Sequence, residues 1–536
     1  YLPTTSLNLS SLGIQTRVNN AMDFSFLTPV VLCILITETV ERFAYYGFRA
    51  VLVLYFINSL KFSEQTSIAL YAYVLCLSYT SPLLGAFLAD GYLGRYMTIL
   101  CFGWIYALGL AILTCAAYID EDNLDVRKTL SFVGLFLFCT GTGGIKPCVS
   151  AFGADQVAAI DERYLDIDTS GSPRSAPADR VRAFFASFYF CINLGAVSSI
   201  CILPIVKHNF GFGAAFLIPA IFVAIAMLTF ASKSKEYVHN NQSQDGSSIG
   251  TTFAISFWIG RQELSRNRWI NKNFPCIIPK RFPIGSIENQ EEAITTNQNV
   301  MDARQALRVL PILLMFPVFW MLYDQHSSVW TLQAARMQLH GLQPEQLVVV
   351  NPIEIMILIP LFDRIVYPCL EGCGWKVTHI GRMRFGMLMT AISFSISGLL
   401  ESWIESSDPN SISVFWQLPQ ITILTIAEIL VSITGLEFAY SMSPERLKAF
   451  IMAIYLVMTA IGNFFGGILY SSVFKQLNRS TVMHVCAFLM IINLALFFWV
   501  GKCWEKKKDE STNEPIEMSP SRSFRDTLKE PPRYVD

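Results

Sequence analysis

Four charged residues within twelve positions interrupt an apolar run: Glu38, Glu41, Arg42 and Arg49 in "TETVERFAYYGFRA", residues 37–50. Counted from Glu38, the residues Glu41, Arg42, Tyr45 and Tyr46 fall at i+3, i+4, i+7 and i+8, a single stripe of a helix. A charge at the centre of a bilayer costs at least about 2.5–3.5 kcal/mol on insertion scales, so such a stripe needs partners or a wet cavity. Glu38 and Glu41 against Arg42 leave one acid over, and a spare acid can take up and release a proton. Further charges stand at expected membrane depth. Lys146 lies in "GTGGIKPCVSAFG" and Glu437 in "SITGLEFAYS"; Glu428, earlier in the same run, fits a structural and a functional role equally. Arg42 and Lys146 in one half and Glu437 in the other suit a zwitterion held across an interface. The ends of an extended dipeptide are about 7 Å apart, two residue lengths. Tyr45, Tyr46, Tyr79 and Trp320, with the amides Asn193 and Asn351, are candidates to line the rest.

These side chains need apolar elements to carry them. The chain has 536 residues, 53% hydrophobic and 15% charged, against about 25% charged in a soluble chain. Apolar windows long enough to span a bilayer as helices, about 20 residues each, recur about twelve times. Six of them fall within 26–231 and six within 307–503. An all-α membrane protein of two six-helix bundles is therefore expected. Residues 1–25 form a terminal segment, 232–306 a polar linker containing a surface-helix candidate, "FAISFWIGRQELSRNRWI", and 504–536 a charged, disordered tail. Lys and Arg crowd the connections on the side of the N-terminus, which places both termini in the cytoplasm. "GAFLADGYLGR" after the second span and "ILIPLFDRI" after the eighth echo one another, as duplicated halves would. Duplicated bundles with the site between them are a transporter plan.

Other classes are disfavoured. The 13 cysteines lie mostly in apolar spans and suggest no disulfide framework. A net charge of −1 gives no electrostatic case for a nucleic-acid partner. No nucleophile–base pair, metal site or phosphate loop is visible, so no enzyme and no cofactor are expected. "GTGGIKP" lacks the P-loop spacing and reads as close helix packing.

"ETVERFAYYG", "GLFLFCTGTGGIKPCVSAFGADQ" and "FFASFYFCINLGA" resemble three signatures of the proton-coupled oligopeptide transporters of the major facilitator superfamily. "FWMLYDQHSSVWTLQA" and "SITGLEFAYS" are similar to the animal branch, and the resemblance covers about residues 24–500. It implies a plasma-membrane symporter that moves di- and tripeptides with protons by alternating access between the bundles, within membrane lipid. It implies that Glu38, Glu41, Arg42 and Lys146 couple protons and meet the substrate carboxylate, and that Glu437 meets the amino terminus. Tyr45, Tyr55, Tyr79, Asn193, Trp320 and Asn351 would line the cavity, and Arg308 with Asp363 would form an acid–base pair of the transport cycle. Two departures stand out. Ala72 occupies the position of an animal-branch histidine, and the connection between spans nine and ten is short. His326 could replace the missing histidine, although it reads more readily as a solvated side chain near a loop. The alternatives are the same fold moving another solute, such as nitrate or histidine, and a non-transporting receptor that docks partners on its tail.

Overall fold

The structure, a computed structural model, describes residues 27–164, 177–238, 308–374, 377–443 and 448–513. The terminal segment 1–25, the surface-helix candidate and residues 514–536 lie outside the described residues. Nine helical stretches among the described residues are long and apolar enough to cross a membrane. Two of them, Glu64–Tyr118 and Ala183–Ser232, each hold two passes. The first helix, Pro29–Leu54, carries too many charges to count by composition, yet it is a full pass of 26 residues. The described residues thus make twelve passes in two sixes, the architecture of the major facilitator superfamily.

The first six are α1 (Pro29–Leu54), α2 (Glu64–Leu88), α3 (Gly94–Tyr118), α4 (Leu124–Tyr164), α5 (177–210) and α6 (212–232). The second six are α7 (Arg308–Ala334), α8 (Pro344–Gly372), α9 (His379–Ser406), α10 (Val414–Ser441), α11 (Lys448–Ser471) and α12 (Arg479–Asn513). The last helix thus continues past 504, where the sequence reading began a disordered tail. We call the end where α1 starts proximal and the end where it finishes distal.

Local chemistry sets the boundaries. Thr28 caps α1, its hydroxyl accepting from the Val31 amide at 3.3 Å, and Pro29 follows at the first helical position, where its missing N–H costs nothing. Gly211 turns α5 into α6 at φ +83°, a conformation only glycine adopts freely. Gly143 lets α4 sit directly on α2: a Cβ there would lie 2.5 Å from the Ser81 side chain. That close approach fixes the level at which Lys146 leaves α4. Pro147 comes next and withdraws one helical N–H.

Within the first half α1 packs on the α5–α6 pair and α4 on α2 and α3; within the second, α9 packs on α10 and α12, and α7 on α11. The halves meet chiefly where α2 lies along α11, and where α8 touches α5. Among the described residues four π-turns interrupt the helices, at Tyr55–Ser59, Ala89–Leu93, Phe362–Val366 and Ile429–Ile433. The second and third end α2 and break α8, the second pass of each half. They fall on the two echoing sequences, so the echo is structural as well as chemical.

The start of the expected linker is pinned rather than free. Tyr237 is buried against Phe152, Phe230 and Tyr96. The Gln156 side chain closes both backbone groups of Val238, donating to its carbonyl and accepting from its amide.

Candidate functional site

Glu38, Glu41 and Arg42 are all buried midway along α1. The Arg42 Nε donates to Glu38 Oε1 at 2.8 Å and stands 2.7 Å from Glu41 Oε2. The second contact is an ion pair without hydrogen-bond alignment, and both Glu41 oxygens lack a hydrogen-bond donor. Glu41 is therefore the acid left over. Beside it, the Lys146 ammonium sits over the Tyr45 ring, 3.5 Å from its centroid, with the Tyr79 ring at 5.0 Å. Cation–π contact of this kind is worth up to about 2 kcal/mol when desolvated. Among the described residues no carboxylate pairs with Lys146, so it remains available to an incoming anion. The Tyr45 hydroxyl is also buried without a partner. Tyr46 packs edge-on against Tyr45. It feels charges from both halves, Arg42, Arg49 and Glu41 on its own helix and Glu428 on α10.

In the second half the acid of α10 that faces the first half is Glu428, close enough to act on Tyr46 of α1. Its Oε2 accepts from Asn351 Nδ2 at 2.9 Å; the same amide nitrogen reaches Thr425 Oγ1 at 3.1 Å, and Tyr323 donates to the Asn351 carbonyl at 3.4 Å. These partners are neutral, so the carboxylate charge is solvated but not cancelled. Trp320 stands edge-on to Tyr323, buried, with its indole nitrogen unpartnered. Asn193, on α5, donates to the Tyr189 carbonyl of its own helix at 2.9 Å. The structure thus brings together Glu38, Glu41, Arg42, Tyr45, Tyr46, Tyr79 and Lys146 on one wall. Asn351 and Trp320 stand on the other.

Four expectations are corrected. Glu437 does not lie at the level of this cluster. Its side chain is 53% exposed near the proximal end of α10 and pairs with Arg382 at 3.1 Å and with His379 at 3.3 Å. A carboxylate already flanked by two basic groups outside the cavity is poorly placed to meet a substrate ammonium. Arg308 and Asp363 are both exposed and form no ion pair with one another in this conformation. Tyr55 does not face the cavity. It is fully buried inside the first half, with its hydroxyl 2.7 Å from Ser131 Oγ and its ring against Phe212 and Phe216. His326 is not solvated: Nδ1 lies 2.6 Å from the Tyr323 carbonyl and Nε2 2.9 Å from Ser327 Oγ. Because a carbonyl only accepts, Nδ1 carries the proton, and Nε2 is left to accept from the serine.

The contacts between the halves have no local signature in the sequence. Arg49, two turns beyond Arg42, donates through Nη2 to Asp324 Oδ1 on α7 at 2.5 Å and through Nε to the Tyr71 hydroxyl at 2.6 Å. Asn463 of α11 donates to the other Asp324 oxygen at 2.6 Å. Ala72 lines the small cavity beside this group, with Tyr71, Asp324, Gln325 and Tyr470. Two further pairs cross between the halves among the described residues, Lys207 with Glu345 and Glu64 with Arg479. The three stand toward the distal end. At the proximal end Arg95–Asp155, Arg382–Glu437 and Arg384–Glu505 each join helices of one half.

Residues 96–483 match the profile of the POT family, PTR2. Human solute carrier family 15 member 2 is 34% identical over 78% of this chain and 55% of its own length. Peptide transporter family 1 of Drosophila melanogaster is 35% identical over 70% of this chain and 48% of its own. The chain spans about half the length of these curated relatives. Among solved structures, that of an auto-inhibited POT family peptide transporter superposes with a TM-score of 0.73 at 26% identity, covering 89% of this chain and 97% of that one. The POT family transporter PepTSo gives 0.72 at 26% identity, covering 89% and 98%. With a family profile that matches well over half of its residues and relatives aligned along most of its length, the chain belongs to the POT family.

Proposed function

We propose that the protein is a proton-coupled symporter of di- and tripeptides that works by alternating access between its two halves. The observation that carries this reading is the placement of opposite charges in the two halves. Arg42 and Lys146 stand on one wall, and Glu428, held only by neutral groups, on the other. A zwitterion with separated ends satisfies both walls at once. Glu428 takes the role that the sequence reading gave to Glu437, because it is the α10 acid that faces the first half. The relatives named peptide transporters, at 26–35% identity, support the same substrate class.

On the charge distribution of the loops the distal end is read as the outside and both termini as cytoplasmic; the plasma membrane as the site of action follows from the resemblance alone. The conformation described is then closed on the outer side by the Arg49–Asp324, Lys207–Glu345 and Glu64–Arg479 pairs. Glu41 is the proton carrier on this reading. Its protonation releases Arg42 toward the peptide carboxylate beside Lys146, and peptide departure lets the ion pair re-form and expel the proton. Binding must shift the balance between outward- and inward-open states for a gradient to drive accumulation.

The test is dipeptide uptake by cells expressing the protein, at mildly acidic and mildly alkaline external pH, with and without a protonophore. Acid-stimulated, protonophore-sensitive uptake is expected; uptake indifferent to both would overturn the reading. Glu41→Gln, fixed in the neutral form, is expected to exchange peptide between two loaded compartments but not to concentrate it. Acid-driven accumulation by that variant in proteoliposomes would move the carrier to Glu38.

A further inference from the structure

One intramembrane acid has no part in the site above. Glu354 lies on α8 three residues after Asn351, about 15 Å along the helix axis from the distal start of that segment at 1.5 Å per residue. Its Oε1 accepts from Thr422 Oγ1 of α10 at 2.5 Å. Its Oε2 is buried and has no hydrogen-bond partner. Among the described residues no cation stands within ion-pair reach of it. Of the elements packed against α8, α10 presents Thr422 and, two turns on, Glu428. Packed on its start, α7 and α1 carry Asp324, paired with Arg49, and His326, bonded to the Tyr323 carbonyl. From α5 comes Lys207, whose ammonium is taken by the fully buried Glu345.

The surroundings narrow what this carboxyl can hold. An unpaired carboxylate within hydrocarbon is costly, and a threonine hydroxyl brings no charge to offset it. The buried oxygen has neither a hydrogen-bond donor nor a cation beside it. A proton fits without any rearrangement.

Glu354 is also wired to the cavity wall. Asn351 and Glu354 share one side of α8, and Thr422, Thr425 and Glu428 follow at three-residue steps along α10. Hydrogen bonds join the two helices rung by rung, Glu354 to Thr422, then Asn351 to Thr425 and to Glu428. Movement of α8 against α10 therefore disturbs the Glu354 rung and the Glu428 rung together. Because α8 also touches α5 of the other half, movement between the halves reaches this seam.

We propose that Glu354 is a second proton-binding carboxyl of the transport cycle, placed in the second half and distinct from the Glu38–Glu41 pair. It loads while the seam is closed and unloads when α8 shifts. This rests on the proton-coupled reading above and adds a coupled proton to it.

The experiment measures the number of protons moved per dialanine molecule, from the membrane potential at which net dipeptide flux vanishes in proteoliposomes under a known pH gradient. Glu354→Gln keeps the Thr422 contact without the titrating group, and Glu354→Leu suits the apolar surroundings should the amide fail to insert. Both are expected to move one proton fewer than the parent, while Glu354→Asp keeps the parent number. With about one pH unit imposed and no potential, the limiting accumulation should fall about tenfold, equivalent to about 1.4 kcal/mol. An unchanged ratio in the Gln and Leu variants overturns the proposal. So does an unchanged ratio accompanied by a selective loss of lysine-containing dipeptides, which would make Glu354 a side-chain recognition group. A parent protein that moves no protons would overturn the symport reading as well, which separates the two failures.

Discussion

Two arginines of one helix are neutralised in different ways. Arg42 finds its acids on its own helix, Glu38 one turn back and Glu41 next door. Arg49, two turns further on, finds Asp324 in the other half of the molecule. A pair carried on one rigid helix persists through every movement of the halves and answers only to what enters the cavity. A pair split between the halves exists only while they touch at that level. The proximal stretch of α1 is thus placed to sense proton and ligand, and the distal stretch to register which side is closed.

The largest effect is expected where the split pair is cut. Removing one partner of a buried ion pair costs about 3–5 kcal/mol, because the other charge is left stranded. Asp324→Ala should shift the protein toward opening at the distal end. On a cysteine-depleted background, the distance between spin labels at positions 63 and 478 should then lengthen. If that distance distribution stayed put, Arg49 would lose its role as the register of closure.

Cutting at the cavity wall comes next and separates the two acids of α10. Glu428→Gln should cost about 2–5 kcal/mol of dipeptide affinity, read from competition for uptake, as expected when a desolvated charge loses its partner. Glu437→Gln should cost under about 1 kcal/mol, since that side chain is half-exposed. The reverse ranking would return the substrate ammonium to Glu437.

The smallest effect is expected at the rim. Glu64 and Arg479 join the halves through a pair exposed to solvent, with 24% and 43% of the side chains accessible. Glu64→Gln should shift the same spin-label distance by less than about 1 kcal/mol in population, and the difference should vanish at high salt. A rim effect as large as that of Asp324→Ala would make the outer closure a matter of net charge rather than of one buried contact.

The span pattern and the two-half plan were legible because twelve apolar windows are hard to hide, and the α1 stripe because i, i+3 and i+4 spacing is local. The contacts that decide closure were not. Arg49 and Asp324 are 275 residues apart, and no periodicity links them. Asp324 stands in plain view within "FWMLYDQHSSVWTLQA", but its importance lies in a neighbour that only folding supplies. Glu437 was misplaced for a different reason, and a signal was there. The apolar window of the tenth span closes before it, whereas Glu428 lies well inside. Nine residues of helix are about 13 Å of depth, enough to separate the cavity from the membrane surface. Tyr55 followed from resemblance alone, and the packing of Phe212 and Phe216 around it had no sequence signature.

Between those two acids of α10 sits the π-turn Ile429–Ile433. A π-turn carries one residue more than an α-helical turn, and each residue advances a helix by about 100°. The helix therefore already contains, at this point, an insertion it has absorbed. Deleting a single residue from 429–433 should restore regular winding instead of breaking the helix. It would leave Glu428 facing Asn351 and Glu437 facing His379 and Arg382, because only the residue absorbed by the wider turn is lost. The same deletion placed a turn earlier would rotate Glu428 itself off the cavity wall. A membrane helix is ordinarily the least forgiving place for a change of length; here α10 has a built-in splice point, at which one residue can be removed without re-phasing either end.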